Sequence, residues 1–350
     1  MSHVPAYQCL TLYYFSGTGN ALSAARWIVE HARQRGLETE LVNVEGLVAP
    51  AASEPTGKAL VGFCYPTHGF APPWLMLKFF FRFPRLRRAD VFFLNTRGGF
   101  RVGAFHRGPG LSGIAMWLPM VLFWLRGYRV VGSLPLDMPH SWVSFFWPNS
   151  QPGVRIITER CRRIVGDACA RMLVGRRYFR WSVWLTLPLD LAIAPISLLY
   201  LCFGRFALAK TLYASYTCNA CRLCEQHCPV GAIEIKHGRP YWKLTCESCM
   251  RCMNLCPKRS IQSWVTRLAL ASYGLLVLAM ALVPLHATLW LLLLSLLLVP
   301  SYRVLHELWR IKAINAAFTF TSLTRLWGRY LAPGIKARDL KPPPSQPGAP

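Results

Sequence analysis

Apolar residues fall in short, strand-length runs at about residues 8–15, 38–44, 59–65, 91–95 and 129–135. Between them, apolar positions recur at helical spacing over about 21–35, 73–82 and 112–126. Strands alternating with helices predict an α/β domain built on a parallel sheet, occupying residues 1–150. A basic helix follows over about 154–175, and then an apolar stretch from Trp181 to Phe203 that contains Pro188, Asp190 and Pro195. Farther on, the 32 residues from Leu268 to Val299 contain no Asp, Glu, Lys or Arg.

The first strand ends in Tyr13, Tyr14 and Phe15 and runs straight into Ser16, Gly17, Thr18, Gly19 and Asn20, with the first helix opening at Ala21. Strand, glycine-rich turn and helix start together make a phosphate cradle. Glycine lets the backbone approach an anion, the hydroxyls of Ser16 and Thr18 add hydrogen bonds, and the helix amino terminus supplies N–H donors. No Gly-Lys-Ser/Thr follows, so nothing here would hold the β and γ phosphates of a triphosphate. A monophosphate suits the loop better. Gly108-x-Gly110-x-x-Gly113 matches a dinucleotide fingerprint by letter, but it follows a loop and lacks the acidic residue about 20 positions on.

Eight of the 13 cysteines form two copies of one pattern, Cys218-x2-Cys221-x2-Cys224-x3-Cys228-Pro229 and Cys246-x2-Cys249-x2-Cys252-x3-Cys256-Pro257. Ile233 and Ile261 continue the repeat beyond the ligands, as in a duplicated loop-plus-strand unit. Zinc sites and disulfide frameworks do not call for a third x2-spaced cysteine plus Cys-Pro in both halves. The pattern is the ligand set of a bacterial ferredoxin with two 4Fe-4S clusters. Its crossed ligation assigns Cys218, Cys221, Cys224 and Cys256 to one cluster and Cys246, Cys249, Cys252 and Cys228 to the other. Cys9, Cys64, Cys161, Cys169 and Cys202 lie in apolar surroundings and read as packed thiols.

The amino-terminal loop resembles the phosphate loop of the flavodoxin family, Thr/Ser-x-Thr-Gly-Asn followed by a hydroxyl residue, which binds the phosphate of FMN. The chain departs from it at Ala21, so one side-chain hydroxyl to the phosphate is missing. The resemblance implies a doubly wound sheet of order 2-1-3-4-5, in which two further loops meet the first at the switch point. These are Pro66, Thr67, His68, Gly69 and Phe70, and Thr96, Arg97, Gly98 and Gly99. They would flank the isoalloxazine, with His68 and Phe70 placed to tune it or stack on it. The order of the two modules, with Met138-Pro139-His140-Ser141-Trp142 between them, is similar to bacterial ferredoxin-flavodoxin fusion proteins over about residues 7–262. In that family the implied role is electron transfer.

Charge and hydropathy change this picture. Forty Lys and Arg face 15 Asp and Glu, a formal charge of +25, yet 53% of residues are hydrophobic. The basic residues cluster beside apolar segments, which favours a membrane with anionic lipids over nucleic acid. As one helix, Leu268–Val299 would run about 48 Å against a hydrocarbon core of about 30 Å. Broken at Pro284 and flanked by Arg267 and Arg303, it reads as an apolar membrane hairpin over 267–300 with both ends on the cytoplasmic side. Residues 151–209 read as a basic helix and membrane-proximal connector, with Trp181–Phe203 as an interfacial or re-entrant element, or else a buried helix pair. The cluster module occupies 210–263, a basic amphipathic segment 301–331, and a disordered tail 332–350.

These readings predict a flavodoxin-like α/β domain, a small α+β ferredoxin-like module and apolar membrane helices on the cytoplasmic face of a bacterial inner membrane. The expected function is an electron-transfer protein coupling FMN to two 4Fe-4S clusters and exchanging electrons with an acidic redox protein, a ferredoxin or a reductase. The alternative is a flavin-dependent reductase of a membrane-dissolved substrate such as a quinone or unsaturated lipid. For it, Trp74, Met76, Phe79, Phe80, Phe81, Trp117, Phe123 and Trp124 would line an apolar slot, although packing of helices on the sheet is the simpler account of them.

Overall fold

The computed structural model describes residues 6–47, 54–102, 105–264 and 287–342. The chain divides into two compact units that interleave along the sequence. The first comprises Met1–His140, Asn149–Leu201 and Leu331–Pro350, and the second Ser141–Pro148 and Cys202–Tyr330.

In the first unit, Cys9–Tyr14 (β1), Asn20–Arg33 (α1), Glu38–Asn43 (β2), Ala59–Pro66 (β3), Trp74–Arg82 (α2) and Ala89–Gly98 (β4) follow the expected rhythm. A short antiparallel hairpin, Phe100–Val102 (β5) and Phe105–Gly108 (β6), precedes Ile114–Leu125 (α3) and Arg129–Met138 (β7). Gln151–Met172 (α4) and the two-residue strand Tyr178–Phe179 (β8) complete the sheet layer. The strand order is β2-β1-β3-β4-β7-β8, and every neighbouring pair is parallel. This is the expected flavodoxin-like order with one short strand added at the β7 edge. The central strands β3 and β4 are buried on both faces, and edge strand β2 alternates exposed and covered positions, as a helix-covered parallel sheet requires.

One face of the sheet is closed by α2 and α3 through a mesh of aromatic rings. Phe63 on β3 lies 4.9 Å from Phe123, 5.4 Å from Phe80 and 5.2 Å from Phe93, centroid to centroid. Such pairs add about 0.5–1.5 kcal/mol each beyond the area they bury. Met76, Phe79, Phe80 and Phe123 are therefore core, as the packing account expected, whereas Trp74, Phe81 and Trp124 stay exposed. On the other face α1 packs beside α4, with Arg162 and Glu30 paired at 3.1 Å. The basic helix expected as part of a connector is thus a sheet-covering helix: Val154, Ile157, Cys161, Val165 and Cys169 are buried along one side.

The apolar stretch after β8 forms Trp181–Ala192 (α5) and Ala194–Leu199 (α6), continuing through a π-helical turn at Tyr200–Gly204 into Arg205–Ala209 (α7). A 70° bend separates α5 from the following helical run. Asp190 explains why a charged residue lies in so apolar a segment. Its Oδ1 accepts the N–H groups of Ser112 (2.8 Å) and Gly113 (2.7 Å) at the start of α3, and Oδ2 accepts the Thr186 hydroxyl (2.8 Å). The buried carboxylate caps α3 from another helix, since no residue beside α3 does so.

The last segment of the first unit corrects an expectation. Residues 332–342, read as part of a disordered tail, fold back along the sheet unit. Ala332 N–H donates to the Thr18 carbonyl (2.9 Å), Asn43 Nδ2 donates to the Leu340 carbonyl (3.1 Å), and Ala332, Ile335 and Leu340 are buried.

The second unit is a duplicated fold. Leu212–Ala214 (β9), Leu223–Gln226 (α8), Ile233–Lys236 (β10), Arg239–Trp242 (β11), Arg251–Leu255 (α9) and Ile261–Ser263 (β12) form it, β9 pairing with β12 and β10 with β11, both antiparallel. Trp242, Ile233, Met253 and Ile261 make its core. The segment 301–331, expected as basic and amphipathic, packs on it through Tyr302, Trp309 and Phe318 around Tyr213. Asn315 Nδ2 donates to the Ala214 carbonyl (2.9 Å) and the Tyr302 hydroxyl to that of Leu212 (2.9 Å). Most of the expected hairpin over 267–300 lies outside the described residues; its end falls in the helix Ala287–Leu308. Among the described residues no single helix is long and apolar enough to cross a membrane, although α5 with the bent run Ala194–Ala209 passes that test as a pair.

Candidate functional site

Two sites emerge, one in each unit. In the first, the three predicted loops converge at the carboxyl ends of β1, β3 and β4. The rings of Phe15 and His68 meet edge to face at 6.2 Å, joining the first loop to the second. Thr67 N–H donates to the Thr96 carbonyl (2.8 Å) and Asn95 Nδ2 to Thr67 Oγ1 (2.7 Å), joining the second to the third. Ser16, Gly17, Thr18, Gly19, Asn20 and Ala21 are buried. Gly19 takes φ 100°, a conformation open to glycine, and its N–H donates to Ser16 Oγ (3.1 Å). No side chain caps α1 and its first turn carries no acidic residue, so the positive end of the helix faces the loop without a built-in counter-charge.

Pro66, Thr67, His68, Gly69 and Phe70 are half-buried, with Gly69 and Phe70 both at positive φ. Thr96, Arg97 and Gly98 were expected on a loop, but β4 continues through them, in register with Leu136, Asp137 and Met138 of β7. Only Gly99 leaves the strand. Arg97 does not reach out freely. Its Nε pairs with Asp137 Oδ1 at 3.0 Å with both side chains buried, and its Nη1 donates to Ser112 Oγ (2.8 Å). Two buried atoms, Arg97 Nη2 and Asn95 Oδ1, have no hydrogen-bond partner among the described residues. A polar group in the crevice with one acceptor and one donor would satisfy both.

Four residues at this site carried no clear sequence signal. His140 lies where a Cβ on Gly98 would fall, 2.4 Å from its ring, and Tyr200 stands equally close over Gly69. A Cβ on Gly19 would meet Ala332 and Ile335 at 2.9 Å, so the carboxyl-terminal strap lies directly on the first loop. His140 could have been suspected from its place after the last long strand; Tyr200, Ala332 and Ile335 come from far along the chain. Asn20 Nδ2 also reaches the Pro139 carbonyl (2.9 Å). Gly110 is glycine for packing, because its N–H donates to Asp137 Oδ1 (2.8 Å) and a Cβ there would overlap the Gly98 carbonyl oxygen.

The strap is closed by Asp339, whose carboxyl accepts the Lys336 N–H (2.8 Å) and lies 3.5 Å from Arg26. Those partners, the Lys336 N–H first, hold its pKa below the usual Asp range. A group depressed in the fold stabilises above its unfolded pKa and loses that effect as pH falls through its folded one. The latch should therefore hold at neutral pH and weaken on acidification. Ile335→Asp is expected to free the strap at all pH values. Limited proteolysis should then cut between Leu331 and Lys341 in the variant while the wild type resists at pH 7.

In the second unit the cysteines occupy two backbone loops of one design. Left-handed residues recur at Ala220 and Ser248, at Arg222 and Met250, and at Gly231 and Arg259, each pair separated by the repeat length. Cys228 Sγ accepts the Ala232 N–H (3.1 Å) just as Cys256 Sγ accepts that of Ser260 (3.3 Å), and Cys246 Sγ accepts that of Ser248 (3.4 Å). Burial pushes Cys224 up to about 12, against the Glu225 N–H, and the neighbouring Cys218, Cys256 and Cys221 add to the rise. Burial likewise raises Cys252, with Cys246, Cys249, Cys224 and Cys228 as its neighbours. Cys228, Cys246, Cys249 and Cys252 line one cavity together with Leu212, Ile233 and Trp242.

Two cations, buried Lys210 and half-buried Arg329, stand near these thiols. Burial pulls the Lys210 ammonium down to about 8 against the attraction of Cys246, and burial lowers Arg329 to about 10 against Cys256 and Cys252. Among the described residues no group of three or more His, Cys, Asp or Glu is placed to hold a metal ion.

No family model matches the chain, and no curated protein does. Solved structures similar to it include flavodoxin 1 from Bacillus cereus, 17% identical with a TM-score of 0.31 over 45% of this chain and 95% of that one. The flavodoxin of Megasphaera elsdenii is 17% identical, with a TM-score of 0.28 over 44% and 98%. An azoreductase from Bacillus anthracis is 10% identical, with a TM-score of 0.31 over 46% and 98%. The strand order described above, rather than these likenesses, carries the assignment of a flavodoxin-like sheet.

Proposed function

We propose that the chain is a membrane-associated electron-transfer protein that binds FMN at the three-loop crevice and two 4Fe-4S clusters in the cysteine repeats, organised like the bacterial ferredoxin-flavodoxin fusions. The observation that carries the cluster reading is the repeated backbone of the two cysteine loops. Left-handed residues at matching places turn amides toward sulfur, which is how a loop wraps a sulfur-rich inorganic core. The cavity that Cys228 of the first repeat lines together with Cys246, Cys249 and Cys252 of the second supports crossed ligation.

The crevice suits FMN through the glycine-rich turn Ser16–Ala21, the start of α1 with no acidic residue in its first turn, and the unpaired Arg97 Nη2 and Asn95 Oδ1. When bound, FMN would exchange electrons singly or in pairs and each cluster one at a time, making the flavin a converter between the two kinds of chemistry. Arg97 positions the third loop, His68 and Phe70 bracket the second, and buried Lys210 with half-buried Arg329 favours electron-rich clusters. Cys221, the exposed ligand of its set, marks the side at which a protein partner would exchange electrons.

A net charge of +25 suits an acidic ferredoxin or reductase as partner and an anionic membrane, the cytoplasmic face of a bacterial inner membrane, as the location. The rate of electron exchange with an acidic ferredoxin should fall steeply as salt is raised from 50 to about 300 mM; a salt-independent rate would remove this partner class. The second reading, reduction of a membrane-dissolved quinone or unsaturated lipid, is favoured by the apolar helices beside the second loop. It requires turnover with such a substrate and no protein acceptor.

A further inference from the structure

Helices α5 and α6 are amphipathic in the inverted sense. Their polar residues point inward: Ser182, Thr186, Asp190 and Ser197 are buried, Asp190 and Thr186 being hydrogen-bonded as described. Their apolar residues point outward, and Trp181, Trp184, Leu185, Leu189, Leu191 and Leu198 are each more than half exposed. From Trp181 to Tyr200 the one charged residue is Asp190, so the outer face carries no charge at all. The face continues onto α3, where Trp117 meets Trp184 at 5.6 Å and Trp124 and Leu125 are exposed. A water-facing surface of this kind is rare on a soluble protein.

Length and charge select the occupant. At 1.5 Å per residue, α5 runs about 18 Å, short of a hydrocarbon core of about 30 Å, and the 70° bend turns the chain before a crossing is complete. Exposed Arg176 and Arg177 stand immediately before β8 and α5. A second copy of a chain with charge +25 would bring like charges to that rim, whereas lipid phosphates bring opposite ones. Tryptophans at the start of α5 suit the headgroup boundary.

We propose that the outer face of α5, α6 and the end of α3 is a monotopic docking surface lying flat on an anionic phospholipid leaflet. Docking would set the second loop of the flavin site at the membrane boundary, because Tyr200 at the end of α6 packs over Gly69, and Ser197 lies beside Gly113 near Phe70. That consequence, access for a membrane-dissolved electron acceptor, rests on the flavin reading above; the docking itself does not.

The test is hydroxyl-radical footprinting of the full chain reconstituted in vesicles of phosphatidylglycerol and phosphatidylcholine in equal parts. Normalised for intrinsic reactivity, modification of Trp181, Trp184 and Leu185 should fall to the level of buried Tyr65, while Ile156, equally exposed on α4, stays reactive. Vesicles of phosphatidylcholine alone should protect the face less. Trp181 and Trp184 as reactive as Ile156 would overturn the proposal, even if the chain is held on the vesicle by another segment. So would protection that rises with the protein-to-lipid ratio, which would place a second copy on the face. Equal protection in both lipids would overturn the anionic assignment. The readout needs no bound flavin, so an empty flavin site leaves its result unchanged.

Discussion

Cys256→Ser is expected to remove the cluster whose other three ligands lie in the first repeat, halving the iron from about eight to about four per chain. Crossing makes the prediction sharp. Cys218→Ser with Cys256→Ser should lose no more iron than either alone, because both changes strike one cluster. Cys246→Ser with Cys256→Ser should lose nearly all of it, because they strike different ones. The structural basis is that Cys228, from the first repeat, shares a cavity with Cys246, Cys249 and Cys252 of the second. Iron analysis and electron paramagnetic resonance of the reduced doubles decide the matter. The opposite ranking of the two doubles would mean that each repeat holds its own cluster.

The second large effect is expected at Asp137→Leu. Removing one partner of a buried ion pair leaves the other charge uncompensated, at a cost of about 3–5 kcal/mol. Here the stranded group is Arg97, 5% exposed, and Gly110 loses its acceptor as well. The double variant Arg97→Leu with Asp137→Leu should recover most of that loss, because two packed apolar side chains strand no charge. Chemical denaturation of the single and double variants measures this. The double should nonetheless bind flavin poorly, since Arg97 ties β4 to Ser112 at the third loop. A single variant as stable as the wild type would mean that the pair is solvated.

Much of this molecule was legible in the chain, for identifiable reasons. Strands β1, β3, β4 and β7 carry mostly apolar runs because both faces of a parallel sheet are covered, so run length located them. The phosphate loop and the cysteine repeats were legible because their chemistry depends on local spacing. Features made by distant residues were not. Strand β8 has two residues and no periodicity to show. Asp190 looked like a flaw in an apolar helix, because its partners at Ser112 and Gly113 are far away in sequence. The strap over Gly19 comes from Ala332 and Ile335 in a segment read as part of a disordered tail. Thr96–Gly98 read as loop because glycine and arginine end an apolar run, yet the backbone pairing with β7 continues through them.

The central claim, that flavin and clusters share one chain, is tested most directly by anaerobic purification from membranes in mild detergent, with quantitation of iron, acid-labile sulfide and released flavin. The account predicts about eight iron, eight sulfide and one FMN per chain. A full complement of iron and sulfide without flavin would contradict it, leaving a tethered cluster protein whose flavodoxin-like unit serves some other purpose.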